Sequence, residues 1–275
     1  MENIGLIAGN GTFPLVFARE AQARGVAVTA VAHRGETLGE IDDVLDDVTW
    51  VRVGELGKMI RVFKKAGVER AVMAGGINKV RSLGKVRPDL RGLKLLRRAA
   101  GRGDDALLRA VAAEFESEGI EVVSSTLFLE RIVVRQGLVA GPRPARTALA
   151  DVRLGCRVLG VTGALDVGQG VVVENGVILA VEAVEGTDEA VRRGGALGRG
   201  AAVVVKAAKP DQDMRFDVPA IGPRTIEIMA ECGARTLAVE AGRCIVLDGE
   251  RVAELAARHR ISVVGCNREG DIGGT

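Results

Sequence analysis

The sequence has no tyrosine, one tryptophan and six phenylalanines, so aromatic residues make up only 3% of its 275 residues. Proteins that stack on nucleic-acid bases need exposed aromatic rings, and this chain has no basic run with interleaved aromatics. The formal net charge is +2, so the overall electrostatic field favours no partner of either sign. We therefore predict that the protein has no nucleic-acid partner.

Histidine and cysteine are also scarce. His33 and His259 are the two histidines, which are too few for a dinuclear His/Asp phosphoesterase. The four cysteines have no C-x-x-C spacing, a pattern that disfavours zinc and is typical of reduced, mostly buried thiols. No G-x-S-x-G elbow and no Walker loop is present. A hydrolase built on this chain would therefore use carboxylates and a hard cation.

Long apolar runs are missing as well. No run approaches the roughly 18 apolar residues of a membrane-spanning helix, and the apolar stretch after Glu2 is too short for a signal sequence. With 47% apolar and 27% charged residues, the composition is globular, and the length suits one large domain or two ordinary ones. We expect a cytoplasmic protein.

The order of apolar segments predicts an α/β protein with two domains. Strand-like and helix-like segments alternate through residues 1–134, which predicts a Rossmann-like domain with a mainly parallel sheet. The stretch 135–147 is rich in Gly and Pro and is predicted to be a linker. Residues 148–270 include two apolar segments joined by Asn175-Gly176, a strong hairpin signal. We predict a separate α+β domain there.

Two glycine-rich loops, AGNGTFP and AGGINKV, each follow a strand-like segment. Such loops let backbone N–H groups approach a phosphate at the start of a helix or at the carboxyl edge of a sheet, although each also fits a simple tight turn. A dinucleotide fingerprint is incomplete, because Pro14 replaces its third glycine and the second strand ends in His33 and Arg34 instead of an acid. The candidate phosphate-binding residues are Gly9, Asn10, Gly11, Gly75, Gly76, Asn78 and Lys79.

Charged residues are concentrated in the segment KPDQDMRFDVPAIGPRT. If residues 213–218 are extended, Asp213, Arg215 and Asp217 share one face of the strand. Two carboxylates around an arginine suit a divalent metal or a positioned water, with the arginine on an anionic group. The alternative is a solvated loop held by salt bridges.

Two further acids, Asp104 and Asp105, begin a predicted helix, where they either stabilise the helix dipole or help to hold a divalent cation. In the C-terminal half, Gln169 in DVGQG is a turn residue or a ligand contact. Thr187 in EGTDEAVRRG is a helix cap or a substrate contact.

These motifs occur together in one order along almost the whole chain. The segments IGLIAGNGTFP, AGGINKV, RGDDALLR, DVGQGVVV, EGTDEAVRRG and KPDQDMRFDVPAIGPRTIE closely resemble the UDP-2,3-diacylglucosamine pyrophosphatases of lipid A biosynthesis, the LpxI family. The glycine loops are weak signals by themselves. The pattern R-x-D-x-P-x-I-G-P is much more specific, and the resemblance runs from about residue 3 to 267.

The resemblance implies a specific reaction. Water attacks the β-phosphorus of UDP-2,3-diacylglucosamine and releases UMP and 2,3-diacylglucosamine 1-phosphate (lipid X), with Mg²⁺ required. It also implies a homodimer that works at the cytoplasmic face of the inner membrane and binds its lipid product between the two domains. The alternatives from the residues alone are a non-catalytic nucleotide-sugar binding protein and an NAD(P)-dependent oxidoreductase.

The resemblance places the essential aspartate at Asp217 and matches an Asp-Asp pair of the family to Asp104 and Asp105. These three are the candidate metal ligands. From the residues themselves, Asp213 and Arg215 join Asp217 as catalytic candidates. Gln169 and Thr187 join the two glycine-rich loops as candidate contacts to the substrate.

Overall fold

The computed structural model describes residues 3–77, 88–99, 103–215 and 218–273, except for the side chains of residues 98–99 and 103–105. The chain divides into two compact units. Met1–Glu130 and Asp213–Asp217 form the N-terminal unit, and Arg131–Gln212 and Val218–Thr275 form the C-terminal unit. The middle of the charged segment, Asp213–Asp217, is therefore an excursion of the chain into the N-terminal unit, while its two ends belong to the C-terminal unit.

The N-terminal unit contains a parallel sheet in the order β3-β2-β1-β4-β5, which confirms the predicted Rossmann-like architecture. Its apolar strands are buried almost throughout, as is typical of parallel strands. Because β2 and β3 lie on one side of β1 and β4 lies on the other, the sheet has a topological switch point between β1 and β4. The strands are β1 (Asn3–Ala8), β2 (Ala27–His33), β3 (Val48–Val51), β4 (Arg70–Ala74) and β5 (Glu121–Val123).

The helices of this unit carry apolar residues at helical spacing. In α3, four apolar side chains at positions i, i+3, i+4 and i+7 (Leu56, Met59, Ile60 and Phe63) are buried in the core. The same core includes Phe115 and Leu95 from the helices that follow β4. The described helices are α1 (Phe13–Ala23), α2 (Ile41–Val44), α3 (Leu56–Lys65), α4 (Leu90–Ala99) and α5 (Gly103–Glu116).

The C-terminal unit contains a mixed sheet in the order β6-β13-β11-β9-β7-β8. The predicted antiparallel pairs are present toward both edges, whereas β9, β11 and β13 at its centre are parallel. A separate two-stranded parallel pair joins β10 to β12. The strands are β6 (Gly137–Ala140), β7 (Gly170–Glu174), β8 (Val177–Val181), β9 (Val203–Lys206), β10 (Ala220–Ile221), β11 (Thr236–Glu240), β12 (Ile245–Val246) and β13 (Ser262–Cys266).

Helices cover both faces of this sheet. Side chains of α6 such as Val152 and Leu159 pack with alternate strand residues of one face, including Val171 and Val205. The other described helices contribute their apolar stripes to a second core on the opposite face. Strands β7, β9, β11 and β13 therefore contribute residues to both cores. The helices are α6 (Arg146–Ala164), α7 (Thr187–Leu197), α8 (Pro223–Cys232) and α9 (Gly249–His259), with a short 3-10 turn at Glu130–Ile132.

The stretch 135–147 differs from the expected linker. Its middle forms β6, which pairs antiparallel with β13, and its last two residues begin α6. Gly137 and Gly141, with φ of 123° and 72°, bracket the strand. The turn residues that suggest a linker therefore mark the two ends of a short edge strand, and the stretch belongs to the C-terminal sheet.

Candidate functional site

The two glycine-rich loops meet at the switch point of the N-terminal sheet. Both follow directly from the carboxyl ends of adjacent strands, β1 and β4. The N–H of Gly9 donates to the Ala74 carbonyl at 2.8 Å, and the N–H of Asn10 donates to the Gly76 carbonyl at 2.7 Å. The structure thus joins two motifs, 66 residues apart in sequence, at the edge where open α/β sheets bind ligands.

Glycine is required at these positions because the two backbones touch. A Cβ on Gly9 would lie 2.7 Å from the carbonyl carbon and oxygen of Gly75, closer than real Cβ atoms approach backbone. Gly75 has φ of 81°, and a Cβ there would collide with the Asn10 carbonyl oxygen. Part of the glycine pattern is therefore explained by packing of one loop on the other.

The contact between the two loops leaves fewer backbone N–H groups for a phosphate. The N–H groups of Gly9 and Asn10, expected to approach a phosphate, are occupied by the second loop. The N–H groups at the start of α1 have no partner within the helix, and Thr12 makes no capping hydrogen bond with its side chain in the described structure. Gly11 has φ of 76°, and a Cβ added there would have no described heavy atom within 4 Å.

A histidine with no predicted role contacts the end of β1, where the first glycine-rich loop begins. His33, at the end of β2, is only 6% exposed, and its Nδ1 lies 2.9 Å from the Ala8 carbonyl oxygen. Thr37 Oγ1 donates to the same oxygen at 2.6 Å and accepts from the His33 N–H at 2.9 Å. Burial lowers the pKa of His33, and the Ala8 carbonyl and Glu36 oppose this effect.

The neutral imidazole of His33 therefore donates its Nδ1 proton to the end of β1. Nearby, Asn10 Nδ2 donates to Glu36 Oε2 at 3.3 Å, which links the first glycine loop to the loop after β2. The sequence signal for His33 was its position at the carboxyl end of a buried, apolar strand. Asn78 and Lys79 lie outside the described residues.

The charged segment is organised around Arg215. Its Nε and Nη2 donate to the Asp213 carboxylate at 3.0 and 2.8 Å, and its Nη1 donates to Glu116 Oε1 at 2.9 Å. Its carbonyl oxygen accepts from the Ser125 N–H at 2.8 Å. These bonds attach the segment to α5 and to the loop after β5. The hydrogen bonds from Arg215 lower the pKa of Asp213, and the same pair raises the pKa of Arg215.

The extended conformation considered for residues 213–218 is not found in the described part of the segment. Residues 214–215 form a turn, in which Asp213 Oδ1 accepts from the Arg215 N–H at 3.1 Å. An aspartate side chain commonly bonds to the backbone two residues further on and so competes with a strand. Asp213 and Arg215 bind each other here, and Asp217 lies outside the described residues.

The described side chains do not form a magnesium site. Asp104 and Asp105 lie in the first turn of α5, where only the backbone is described. Among the side chains that are described, no three His, Cys, Asp or Glu residues are grouped so as to hold a metal ion. The carboxylate of Asp213 is already bound by Arg215. Magnesium therefore stays a prediction.

In the C-terminal unit, a buried carboxylate connects the motifs DVGQG and EGTDEAVRRG. Glu182 is 8% exposed, and its Oε2 accepts from Thr187 Oγ1 at 3.0 Å. A Cβ on Gly170 would lie 2.6 Å from the same oxygen. Gln169, the residue before, has a buried Oε1 without a hydrogen-bond partner among the described residues. Sequence reasoning missed Glu182 because it stands in an apolar strand-like run.

Within the parts of the chain that the structure describes, none of the helices has the length and apolar composition that crossing a bilayer requires.

Comparison with solved structures gives only weak likenesses. The biotin carboxylase subunit of pyruvate carboxylase is 10% identical, with 67% of this chain and 39% of that chain covered and a TM-score of 0.28. The biotin carboxylase domain of Hydrogenobacter thermophilus 2-oxoglutarate carboxylase is 12% identical, with 66% and 38% covered and a TM-score of 0.27. Similarities at this level carry no functional argument.

Sequence families give a much stronger result. Residues 3–132 match the LpxI N-terminal domain, and residues 135–264 match the LpxI C-terminal domain. The UDP-2,3-diacylglucosamine pyrophosphatase LpxI of Caulobacter vibrioides is 36% identical over 278 residues, with 96% of this chain and 98% of that protein covered. The chain therefore belongs to the LpxI family.

Proposed function

We propose that the protein hydrolyses the pyrophosphate bond of UDP-2,3-diacylglucosamine, giving UMP and lipid X in lipid A biosynthesis. The observation that carries this proposal is the 36% identity to the Caulobacter vibrioides pyrophosphatase, which extends over nearly the full length of both chains. Both halves of the chain match domains of the same family, so the relationship extends over both domains.

The switch point of the N-terminal sheet supports a phosphate-bearing substrate. The carboxyl ends of β1 and β4 meet there, and α1, whose first N–H groups have no acceptor within the helix, begins just after β1. A helix N-terminus favours negative charge because its N–H groups and its dipole both act on the anion. We assign the diphosphate of the nucleotide sugar to this edge, with Gly11 leaving room for its approach.

The proposed chemistry is attack of water on the β-phosphorus. Diphosphate hydrolysis needs charge neutralised on the non-bridging oxygens and a water molecule held in line with the leaving group. Magnesium, when bound, would supply that neutralisation, and we propose that its carboxylate ligands are drawn from Asp104, Asp105 and Asp217. Asp217 serves either as a ligand or as the residue that orients the water.

Arg215 is assigned a positioning role in this proposal. Three of its nitrogens are engaged by Asp213 and Glu116, and its carbonyl is held by Ser125. Asp217 follows two residues later in the same excursion of the chain. A rigid Arg215 would therefore restrict where the Asp217 carboxylate can lie, and its guanidinium is already engaged by two carboxylates.

We further propose a cytoplasmic homodimer, as the family resemblance implies. We also propose peripheral contact with the inner membrane, because the acyl chains of the substrate belong to a membrane lipid. Light scattering of the purified protein would test the dimer. Flotation with phospholipid vesicles would test the membrane contact.

The reaction is tested by incubating the protein with UDP-2,3-diacylglucosamine in ¹⁸O-water, with magnesium or with EDTA. We expect UMP and lipid X from the wild type, with ¹⁸O in lipid X, and loss of both products with EDTA. Asp217→Ala should lose activity, whereas Asp211→Asn, a matched change on an exposed carboxylate of the same segment, should retain it.

Other outcomes lead to different conclusions. Label in UMP would move the attack to the α-phosphorus, and full activity in EDTA would remove magnesium from the mechanism. Binding of the nucleotide sugar without turnover under any condition would favour a non-catalytic binding protein. Oxidation of NADH or NADPH by the purified protein would favour the oxidoreductase.

A further inference from the structure

The C-terminal unit has a half-open cavity whose lining includes Pro210 of the charged segment but none of the candidate site residues named above. It has a volume of about 90 Å³ and lies between α6, the segment after β9 and the segment after β13. Cys156, Leu159, Ala208 and Arg268 contribute to its walls. This volume admits water-sized molecules.

The cavity gives access to one member of a buried pair of thiols. Cys156 lines the cavity and is 7% exposed, while Cys266, at the end of β13, is 1% exposed. Their Sγ atoms lie 3.8 Å apart, although the two residues are 110 positions apart in sequence. A disulfide needs about 2.05 Å between the sulfurs, so the remaining approach is less than 2 Å.

The surroundings of the two thiols differ in a way that separates their roles. The hydrogen bond between the two thiols lowers the pKa of Cys156, against the opposing effects of burial and of Glu240. The same interaction, together with burial, raises the pKa of Cys266. Cys156 faces the cavity and is the thiol that a small oxidant reaches first, whereas Cys266 lies behind it.

The other two cysteines provide an internal comparison. All four cysteines are free, and three of them are buried, as the sequence predicts. Cys244 is 0% exposed, and burial raises its pKa to about 12, so it has neither access nor thiolate character. Cys232 is half-buried and its sulfur bonds to the Val191 carbonyl within the same unit. Neither has a second thiol within bonding distance among the described residues.

We propose that Cys156 and Cys266 form a redox-modification site for small hydroperoxides such as hydrogen peroxide. The Cys156 thiolate attacks one peroxide oxygen, the O–O bond breaks, and protonation of the departing hydroxide gives water and a sulfenic acid on Cys156. The Cys266 sulfur then attacks the Cys156 sulfur, forms the S–S bond and expels hydroxide, which leaves as water with the Cys266 proton. Two thiols lose two electrons and two protons, and one peroxide becomes two waters.

The resulting disulfide would join α6 to the central strand β13. Because it closes a long loop within one unit, it restricts the unfolded chain much more than the folded one. We expect the Tm of the oxidised protein to rise by roughly 5 °C or more. Dithiothreitol reduces disulfides by thiol exchange, so it should return the Tm to that of the reduced protein.

The experiment uses the full-length protein, first reduced and then exposed to a few equivalents of hydrogen peroxide. Free thiols are blocked with N-ethylmaleimide under denaturing conditions, and peptides are identified by mass spectrometry. We expect loss of two alkylation sites and a cross-linked peptide containing Cys156 and Cys266. Cys266→Ser should accumulate the sulfenic acid on Cys156, which dimedone traps, and Cys156→Ser should protect Cys266. Cys232→Ser, the matched control, should behave as the wild type.

Two results would overturn the proposal. In the first, Cys156 and Cys266 of the folded wild type both remain fully alkylatable after peroxide treatment. In the second, oxidation is found at Cys232 as a disulfide between two chains. Both measurements are made on the wild type, so they do not depend on whether a variant folds. Hydrolysis of the nucleotide sugar is not the readout, so the result is independent of the proposed function.

Discussion

The guanidinium of Arg215 lies 2.9 Å from the carboxylate of Glu116, a residue 99 positions earlier in the sequence. This bond connects the turn at 214–215 to the last residue of α5. Asp213 holds the other side of the same guanidinium, and its side chain is 19% exposed. The arginine therefore acts as a bridge between two carboxylates of the N-terminal unit.

If this bridge positions Asp217, Arg215→Ala should lower kcat by about 100-fold with little change in KM, because small misplacements of a catalytic group have effects of this size. Steady-state kinetics with UDP-2,3-diacylglucosamine would measure both constants. Glu116→Gln keeps an acceptor oxygen and should have a smaller effect, while Glu114→Gln on the same helix is the matched control. A raised KM with unchanged kcat would instead mean that Arg215 binds the substrate directly.

The contact between the two glycine loops predicts a sharp difference between glycines. Gly9→Ala places a methyl group against the backbone of Gly75 and Gly76, so one loop must move. We expect a loss of about 1–3 kcal/mol in the free energy of unfolding, together with loss of activity. Gly39→Ala, at an exposed site with no described heavy atom within 4 Å of the added carbon, should stay within about 0.5 kcal/mol. Urea unfolding would compare them, and equal effects would contradict the loop contact.

The buried His33 predicts that the free energy of unfolding falls as the pH is lowered. Its pKa in the folded state lies below the ordinary value of 6.5, because burial disfavours the charged imidazole. As the pH falls below 6.5, the unfolded chain binds a proton that the folded chain does not. The free energy of unfolding should therefore fall by about 1.4 kcal/mol per pH unit, until the pH passes the folded-state pKa.

Urea unfolding of the wild type at several pH values would show this slope, and His33→Asn should reduce it. His259→Asn, on α9, changes the other histidine and is the control. The same slope in the wild type and in His33→Asn would mean that another group binds the proton.

Much of the fold follows from local signals in the sequence. Apolar runs and glycine or capping residues predicted most of the described strands and helices, because these elements are decided within a few residues. The exception at 135–147 arose because a four-residue edge strand contains little pattern of its own. The pairing of β6 with β13 depends on residues more than 100 positions away.

The candidate site was less accessible to sequence reasoning. The glycine loops were recognised, but their mutual hydrogen bonds, which occupy the amides of Gly9 and Asn10, depend on strand order. The partners of Arg215 and Thr187 were missed for a similar reason. Glu116 and Glu182 are ordinary acids in their own segments, and only the tertiary fold brings them to their partners.

The β7–β8 hairpin has a turn that the sequence predicted and a contact with α6 that it did not. Asn175 and Gly176 have φ of 51° and 78°, the left-handed conformations expected of this turn. Asp151 on α6 is 4% exposed, and its two carboxylate oxygens accept from the N–H groups of Asn175 and Gly176 at 2.8 and 2.7 Å. A helix residue therefore holds the turn through two charge-assisted hydrogen bonds.

Removing that carboxylate should destabilise the C-terminal unit without altering the chemistry. We expect Asp151→Ala to lower the free energy of unfolding by about 2–3 kcal/mol, because two partly buried amides lose a charged acceptor, and Asp151→Asn to cost less because it keeps one acceptor oxygen. Glu189→Ala, which breaks an exposed ion pair with Arg192, should cost under about 1 kcal/mol. If Asp151→Ala costs no more than this control, α6 does not hold the turn, and the Asn175-Gly176 conformation alone sets the register of the hairpin.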